Sequence, residues 1–273
     1  MPPVLVGIVN ITADSFSDGG RFLDPAAAIA QARRLAAEGA GIVELGAAAS
    51  NVAAAAVGPD EEIRRLDPVI SALAAEGIAL SIDTCEPQVQ RHALSRGVAM
   101  LNDIHGFPDP TLYPVLGGCD CGLVVMHAVQ ERGRAKREDL SADEVWARLR
   151  AFFAARIAAL TGAGIVRERL ILDPGMGFFL SSRPDASLRV LARIGRLKTE
   201  FGLPVLISVS RKSFLGAVTG RQTPQELAAA TLAAELFAAT RGADYIRTHD
   251  PGALRDALRV TAALKAEAAA ISA

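Results

Sequence analysis

Val205-Leu206-Ile207-Ser208-Val209-Ser210-Arg211-Lys212 is a short β-branched apolar run that ends on hydroxyl and cationic side chains. A helical pattern follows over residues 225–240, and Tyr245-Ile246-Arg247-Thr248-His249 then repeats the apolar run with a polar end. Short apolar runs with turn residues at their ends read as buried strands, and the longer segment between them reads as a helix. Together they predict one strand–helix–strand unit with its polar groups at the strand end.

Working outward, the same unit recurs along the whole chain. Strands are predicted at 4–11, 42–45, 79–83, 100–103, 123–126, 170–173, 205–209 and 245–248. Helices are predicted at 25–38, 61–76, 87–95, 111–116, 142–160, 185–200, 225–240 and 252–270. Eight even units of about 30–35 residues predict an α/β fold, a single (β/α)8 TIM barrel occupying residues 1–273 as one domain. A doubly wound sheet is the alternative, but it seldom contains eight even units. No linker or low-complexity tract divides the chain.

Composition narrows the function. The 273 residues carry a net charge of −1, whereas a nucleic-acid binder needs a basic surplus to neutralise phosphates. Mean hydropathy is +0.27, yet no uncharged apolar stretch is long enough to span a bilayer. Much of the apolar content is Ala, 52 residues in all, which favours helix but buries little area. No basic region precedes an apolar run after Met1-Pro2-Pro3-Val4, so a secretory signal is not expected. The three cysteines, Cys85, Cys119 and Cys121, form no disulfide framework, which points to the cytoplasm. Cys119-Asp120-Cys121 lacks the spacing of a CxxC redox pair, and no second pair could complete a zinc site.

In such a barrel the active site lies where strands end. Polar residues gather there: Asn10, Asp83, Asn102, Asp103, His127, Asp173, Ser210, Arg211, Lys212, Arg247 and His249. Any one could be a helix cap or turn former, but seven of eight strands supplying one favours a site. Arg211, Lys212, Arg247 and His249 form a basic cluster suited to phosphate. Asp83, Asn102 and Asp173, expected on the other side of the rim, suit a flat heterocycle with amide-like edges. Acid–base catalysis by an Asp pair is a second reading of the same carboxylates. A zinc hydrolase is disfavoured, since no two His residues stand at ligand spacing.

Four motifs carry a family resemblance. They are Val9-Asn10-Ile11-Thr12-Ala13-Asp14-Ser15-Phe16-Ser17-Asp18-Gly19-Gly20, Leu172-Asp173-Pro174-Gly175-Met176-Gly177-Phe178, Val209-Ser210-Arg211-Lys212-Ser213-Phe214-Leu215-Gly216, and Arg247-Thr248-His249-Asp250. With Ser81-Ile82-Asp83-Thr84 and Leu101-Asn102-Asp103-Ile104 in matching order, they resemble the dihydropteroate synthases over essentially the whole chain. The wording around Gly106-Phe107-Pro108-Asp109 and Met176-Gly177-Phe178-Phe179-Leu180 is most similar to the mobile sulfonamide-resistance branch of that family.

The resemblance implies condensation of 6-hydroxymethyl-7,8-dihydropterin diphosphate with p-aminobenzoate, giving 7,8-dihydropteroate and diphosphate. It implies that Asp83, Asn102, Asp173 and Lys212 hold the pterin, and that Asn10, Ser50, Arg247 and His249 face the diphosphate. It implies Ser50, Phe178, Phe179, Lys212 and Ser213 around the aminobenzoate, and Asn10 as a ligand of Mg²⁺ on the diphosphate. Lys212, Asp83, Asp173, Arg247 and His249 are the catalytic candidates. A homodimer packed through barrel helices is expected, with the Ala-rich helix 227–240 and the helix after strand 6 as candidate faces. No membrane or nucleic-acid partner is expected.

The second loop departs from the family. Typical members have Asp at the end of strand 2 and then a Ser-Thr-Arg-Pro-Gly run; here Glu44-Leu45-Gly46-Ala47-Ala48-Ala49-Ser50-Asn51-Val52-Ala53 places Asn51 for Arg and Val52 for Pro. Ala13 likewise replaces the usual Pro of the first loop, and Phe179 stands where many members have Gly. These changes predict an aminobenzoate pocket that rejects sulfonamides, by a clash against one ligand. Two other readings use the same scaffold: a methyltetrahydrofolate-binding domain of a corrinoid methyltransferase, and a non-catalytic pterin-binding paralogue.

Overall fold

The structure, a computed structural model, describes residues 2–12, 23–48, 57–129 and 138–272. Eight strands form one parallel sheet: β1 (Val4–Asn10), β2 (Ile42–Gly46), β3 (Leu80–Asp83), β4 (Met100–Asp103), β5 (Gly122–Met126), β6 (Leu170–Asp173), β7 (Leu206–Ile207) and β8 (Tyr245–Thr248). Their order is β6-β5-β4-β3-β2-β1-β8-β7. A single Leu172–Val205 bridge brings β6 against β7 and closes the barrel.

Helices α1 (Pro25–Ala37), α2 (Pro59–Ala75), α3 (Pro87–Ser95), α4 (Tyr113–Gly117) and α5 (Ala142–Gly162) lie outside the barrel. So do α6 (Pro184–Ala192), α7 (Ile194–Phe201), α8 (Ser213–Thr219), α9 (Ala228–Thr240) and α10 (Pro251–Ser272). Local sequence sets their starts. Pro occupies the first turn of α1, α2, α3 and α6, where its missing N–H costs no helical bond. Asp24 caps α1 by accepting from Ala26 N, and Ser141 with Glu144 forms a capping box on α5.

The structure differs from the sequence reading at three places. Strand 205–209 shrinks to Leu206–Ile207. Pro204 accepts from Leu172 N at 2.9 Å but has no N–H to return, so the closing ladder cannot extend backward. The helix expected over 185–200 breaks at Arg193, whose N–H falls back on Val190 O. Gly195, a weak helix former, lies just beyond that break, and Arg193 and Arg196 both stack over the Trp146 ring, at 5.7 and 5.5 Å. Third, α8 begins directly after Lys212, a helix the periodicity of a seven-residue segment was too short to reveal.

Strand alternation sorts the core into two. Leu5, Val9, Val43, Leu45, Ile82, Leu101, Leu123, Val125, Leu172 and Ile246 face the helices in the large outer core. Val6, Met100, Val124, Ile171 and Leu206 face inward and fill the barrel's lower interior, with Ile42 and Tyr245 against them. Continuing the inward parity upward reaches Asn10, Glu44 and Gly46, Asp83, Asn102, Asp173, Ser208 and Ser210, and Arg247 and His249. The apolar plug below thus forces the polar side chains into the upper half of the barrel.

Candidate active site

A cavity of about 240 Å³ opens at the C-terminal ends of the strands. Asn10, Asp83, Asn102, Asp173, Lys212, Phe179, Arg247 and His249 all line it, together with Ile8, Gly46, Met126, Ser208, Ser210 and Arg211. The expected residues that the structure describes are therefore brought together, with four exceptions: Asp103, Phe178, Ser213 and His127, which is buried against Phe152 outside the cavity lining. Asp103 has outward parity and is buried behind the wall, accepting from Gln90 Nε2 at 2.9 Å and His105 N at 2.8 Å. It fixes the turn after β4 rather than facing the cavity. Phe178 is half-buried and Ser213 exposed, and neither lines the cavity. Ser50 and the substituted positions Ala13, Ala49, Asn51, Val52 and Ala53 lie outside the described residues.

The cavity floor is an ion-pair network organised by Glu44. This carboxylate is fully buried and accepts from Ser81 Oγ at 3.0 Å, Asn102 Nδ2 at 3.2 Å and Arg247 Nε. Arg247 also donates from Nη2 to Asp83 Oδ2 at 2.9 Å. The cations and carboxylates are therefore interleaved, not divided between two sides of the rim. Arg247 reaches across because β8 and β1 are neighbours, and β2 and β3 follow directly. Glu44 carries the inward parity of Gly46, and that alternation was the signal in the sequence for it.

Burial shapes the protonation of Asp83, Asp173, Lys212 and His249. It pushes the Asp83 carboxyl up to about 7, against the pull of the Arg247 cation. It pushes Asp173 up to about 6, although Gly175 N donates to Asp173 Oδ1 at 2.8 Å. Lys212 is pushed down to about 8 by burial and by the Arg247 charge, with Asp173 and Asp83 opposing. Its Nζ lies 4.8 Å from the centroid of the Phe179 ring, a cation–π contact. Burial, with the Arg211, Arg247 and Lys212 charges, keeps the His249 imidazole well below its usual value and hence neutral near pH 7. Ser210 Oγ lies 2.8 Å from His249 Nδ1 and also accepts from His249 N, which fixes the ring. His127 is buried, held to about 4 by desolvation, and packs edge-on against Phe152.

Two local features position these groups. Arg211 adopts a left-handed φ of 59°, uncommon for a side chain of its size, and its N–H donates to Thr231 Oγ1 at 3.0 Å. That turn aims Ser210 and Lys212 into the mouth. Gly175 has φ 69°, and an added Cβ would strike the His127 carbonyl. Only glycine lets the loop after β6 close on the loop after β5.

Asn102 Oδ1 is buried and makes no hydrogen bond within the protein. A buried acceptor left open at a cavity wall calls for a ligand donor. Beside it, the Asp173 carboxylate has further acceptor capacity and Lys212 offers N–H donors. The floor can thus read the alternating donors and acceptors of a planar, nitrogen-rich ring. For Mg²⁺ the donor set is sparse. Among the described residues no group of three or more His, Cys, Asp or Glu could cage a metal, while Asn10 lines the mouth and would offer one oxygen. That fits an ion held chiefly by substrate phosphates and water.

This architecture and site define a barrel enzyme for a small heterocycle carrying an anionic group. Residues 6–249 match the family of pterin binding enzymes, and the chain belongs to that family. It is similar to the dihydropteroate synthase type-2 of Escherichia coli, 61% identical over 262 residues that cover 96% of each chain. Among solved structures it is similar to Xanthomonas albilineans dihydropteroate synthase with 4-aminobenzoic acid, with TM-score 0.87 and 39% identity over 97% of this chain and 94% of the other. The same enzyme in complex with 7,8-dihydropteroate superposes with TM-score 0.81 and 36% identity at equal coverage.

Proposed function

We propose that this chain is a transferase of folate biosynthesis that joins 6-hydroxymethyl-7,8-dihydropterin diphosphate to p-aminobenzoate, forming 7,8-dihydropteroate and diphosphate. The observation that carries this reading is the cavity floor, where the open Asn102 Oδ1 stands beside buried Asp173 and Lys212. The names of the relatives and the ligands in the solved relatives support the same reaction.

In this reading the pterin ring donates to Asp173 and Asn102 and accepts from Lys212. The bond from the pterin methylene to the diphosphate oxygen breaks, and its electron pair leaves with the diphosphate. The cation that remains is delocalised into the ring, and Asp83 and Asp173 stabilise it across the low-dielectric cavity. Arg247, Ser210 and neutral His249 meet the leaving group. The aniline nitrogen then attacks the methylene carbon and loses its proton, needing no strong base. When bound, Mg²⁺ neutralises diphosphate charge, with Asn10 as its protein ligand. Phe179, under Lys212 at the mouth, borders the aminobenzoate, with Ser50, Phe178 and Ser213 further out.

Sulfonamide insensitivity belongs to the same proposal. The Phe179 ring lines the cavity, and in this reading it takes the space that a sulfonamide reaching beyond the aminobenzoate would need. Phe179→Gly is expected to sharpen inhibition by sulfamethoxazole; sub-micromolar inhibition of the wild type, unchanged by Phe179→Gly, would overturn it. A homodimer in the cytoplasm completes the proposal. An apolar groove of about 350 Å³ runs between α6, α8 and α9 on the predicted faces, with Leu188 42%, Val218 60% and Phe237 37% exposed. No described helix is long and apolar enough to cross a membrane.

Diphosphate release from the pterin diphosphate plus p-aminobenzoate tests the activity directly. Pterin binding without turnover would favour the non-catalytic paralogue. Binding of methyltetrahydrofolate without affinity for the pterin diphosphate would favour the methyltransferase domain.

A further inference from the structure

Cys119 and Cys121 lie in the segment between α4 and β5, at the opposite end of the barrel from the cavity. Their spacing does not match the CxxC motif, yet the fold brings Cys119 Sγ and Cys121 Sγ to 3.4 Å. Arg169, just before β6, holds them there. Its Nε donates to Cys121 O at 2.9 Å and its Nη1 to Leu116 O at 2.7 Å. Its Nη2 points at the sulfurs, 3.0 Å from Cys119 and 3.8 Å from Cys121. A guanidinium at that distance opposes a bound metal cation and works against the burial that pushes the Cys121 thiol up to about 12. The thiolate is the reactive form towards oxidants.

We propose that Cys119 and Cys121 form a reversible dithiol–disulfide site that reacts with hydroperoxides. Cys119 is the half-exposed member and Cys121 the buried one, so Cys119 reacts first. Its thiolate attacks the terminal peroxide oxygen and the O–O bond breaks, giving a Cys119 sulfenic acid and hydroxide from hydrogen peroxide, or an alkoxide from an organic hydroperoxide, which takes up the thiol proton as water or alcohol. Cys121 then attacks the Cys119 sulfur, the S–S bond forms, and the sulfenic hydroxyl leaves with the Cys121 proton as water. The two sulfurs together supply the two electrons that reduce the peroxide. Bond formation requires the sulfurs to close by only about 1–2 Å. Cys85, the third cysteine, follows β3 and belongs to a different strand unit.

The test uses the full-length reduced protein and hydrogen peroxide in small molar excess, followed by maleimide labelling, intact mass and a non-reducing peptide map. The expected result is loss of two hydrogens, a fall from three reactive thiols to one, a linked peptide containing both cysteines, and recovery on adding dithiothreitol. In Cys121→Ser the sulfenic acid should persist at Cys119 and be trapped by dimedone. Three thiols left unreacted, oxidation confined to Cys85, or links only between molecules would overturn the proposal. So would over-oxidation of Cys119 in the wild type without an internal link.

Discussion

Glu44→Gln asks whether one buried carboxylate organises the site. The substitution keeps side-chain shape but leaves one acceptor oxygen where there were two, and it removes the charge facing Arg247. Glu44 is fully buried, and Arg247 retains Asp83 at 2.9 Å as a second counter-charge. Breaking a buried ion pair from one side costs about 3–5 kcal/mol, and the surviving Asp83 contact puts this case near 3 kcal/mol. At about 2–4 °C per kcal/mol for a chain approaching this length, thermal unfolding should move down by roughly 6–12 °C. Circular dichroism on heating measures it. The Glu44 charge also helps push Asp83 upward, so the pH dependence of pterin binding should shift to lower pH in the variant. Combining Glu44→Gln with Arg247→Met should restore stability relative to the sum of the single losses, because neither charge is then left alone. A fall below about 3 °C with turnover unchanged, or strict additivity in the double variant, would refute the coupling.

Three further outcomes are expected. Glu62 is buried, accepts from Thr84 Oγ1 at 2.9 Å and is pushed up by burial to about 7. A raised carboxyl favours the fold below its ordinary range, and that contribution is lost as pH rises through about 7. Glu62→Gln should therefore gain stability over wild type above pH 7, on the order of 3 kcal/mol, in urea unfolding at several pH values. Gly175→Ala should cost more than about 2 kcal/mol, because a left-handed φ and a clash with the His127 carbonyl add together. Gly177→Ala, with φ 67° but only Lys212 Cδ nearby at 3.7 Å, should cost about 1 kcal/mol; equal urea midpoints for the two would contradict this. Lys212→Ala should abolish diphosphate release while leaving the melting temperature within a few degrees; retained turnover would remove Lys212 from the catalytic set.

Much of this was legible in the amino-acid order. The eight apolar runs located all eight strands, because a strand buried on both faces leaves a short continuous run. Side-chain parity decided the rest. Asn102 and Asp103 are equally polar neighbours, and only the inward phase shared with Met100 assigns the cavity to the first. Glu44 was visible as a departure from its family, but its role depends on Arg247, 203 residues away. Nothing local announces a contact closed by the barrel itself. The thiol pair is hidden for a related reason: Cys119 and Cys121 lack the CxxC spacing, and Arg169, which aligns them, comes from the next strand unit.

The two-residue phase of the strands also governs how this molecule can change. Inserting one residue into β3 or β6 would turn Asp83 or Asp173 toward the helices and carry a leucine or isoleucine into the cavity. The strand-borne floor thus admits substitutions but hardly any change of length. Connections above the strands obey no such counting, so a change of length there leaves the floor in phase. Heredity in this barrel is divided: an inflexible register holds the polar floor in place, while the connections above it can change length.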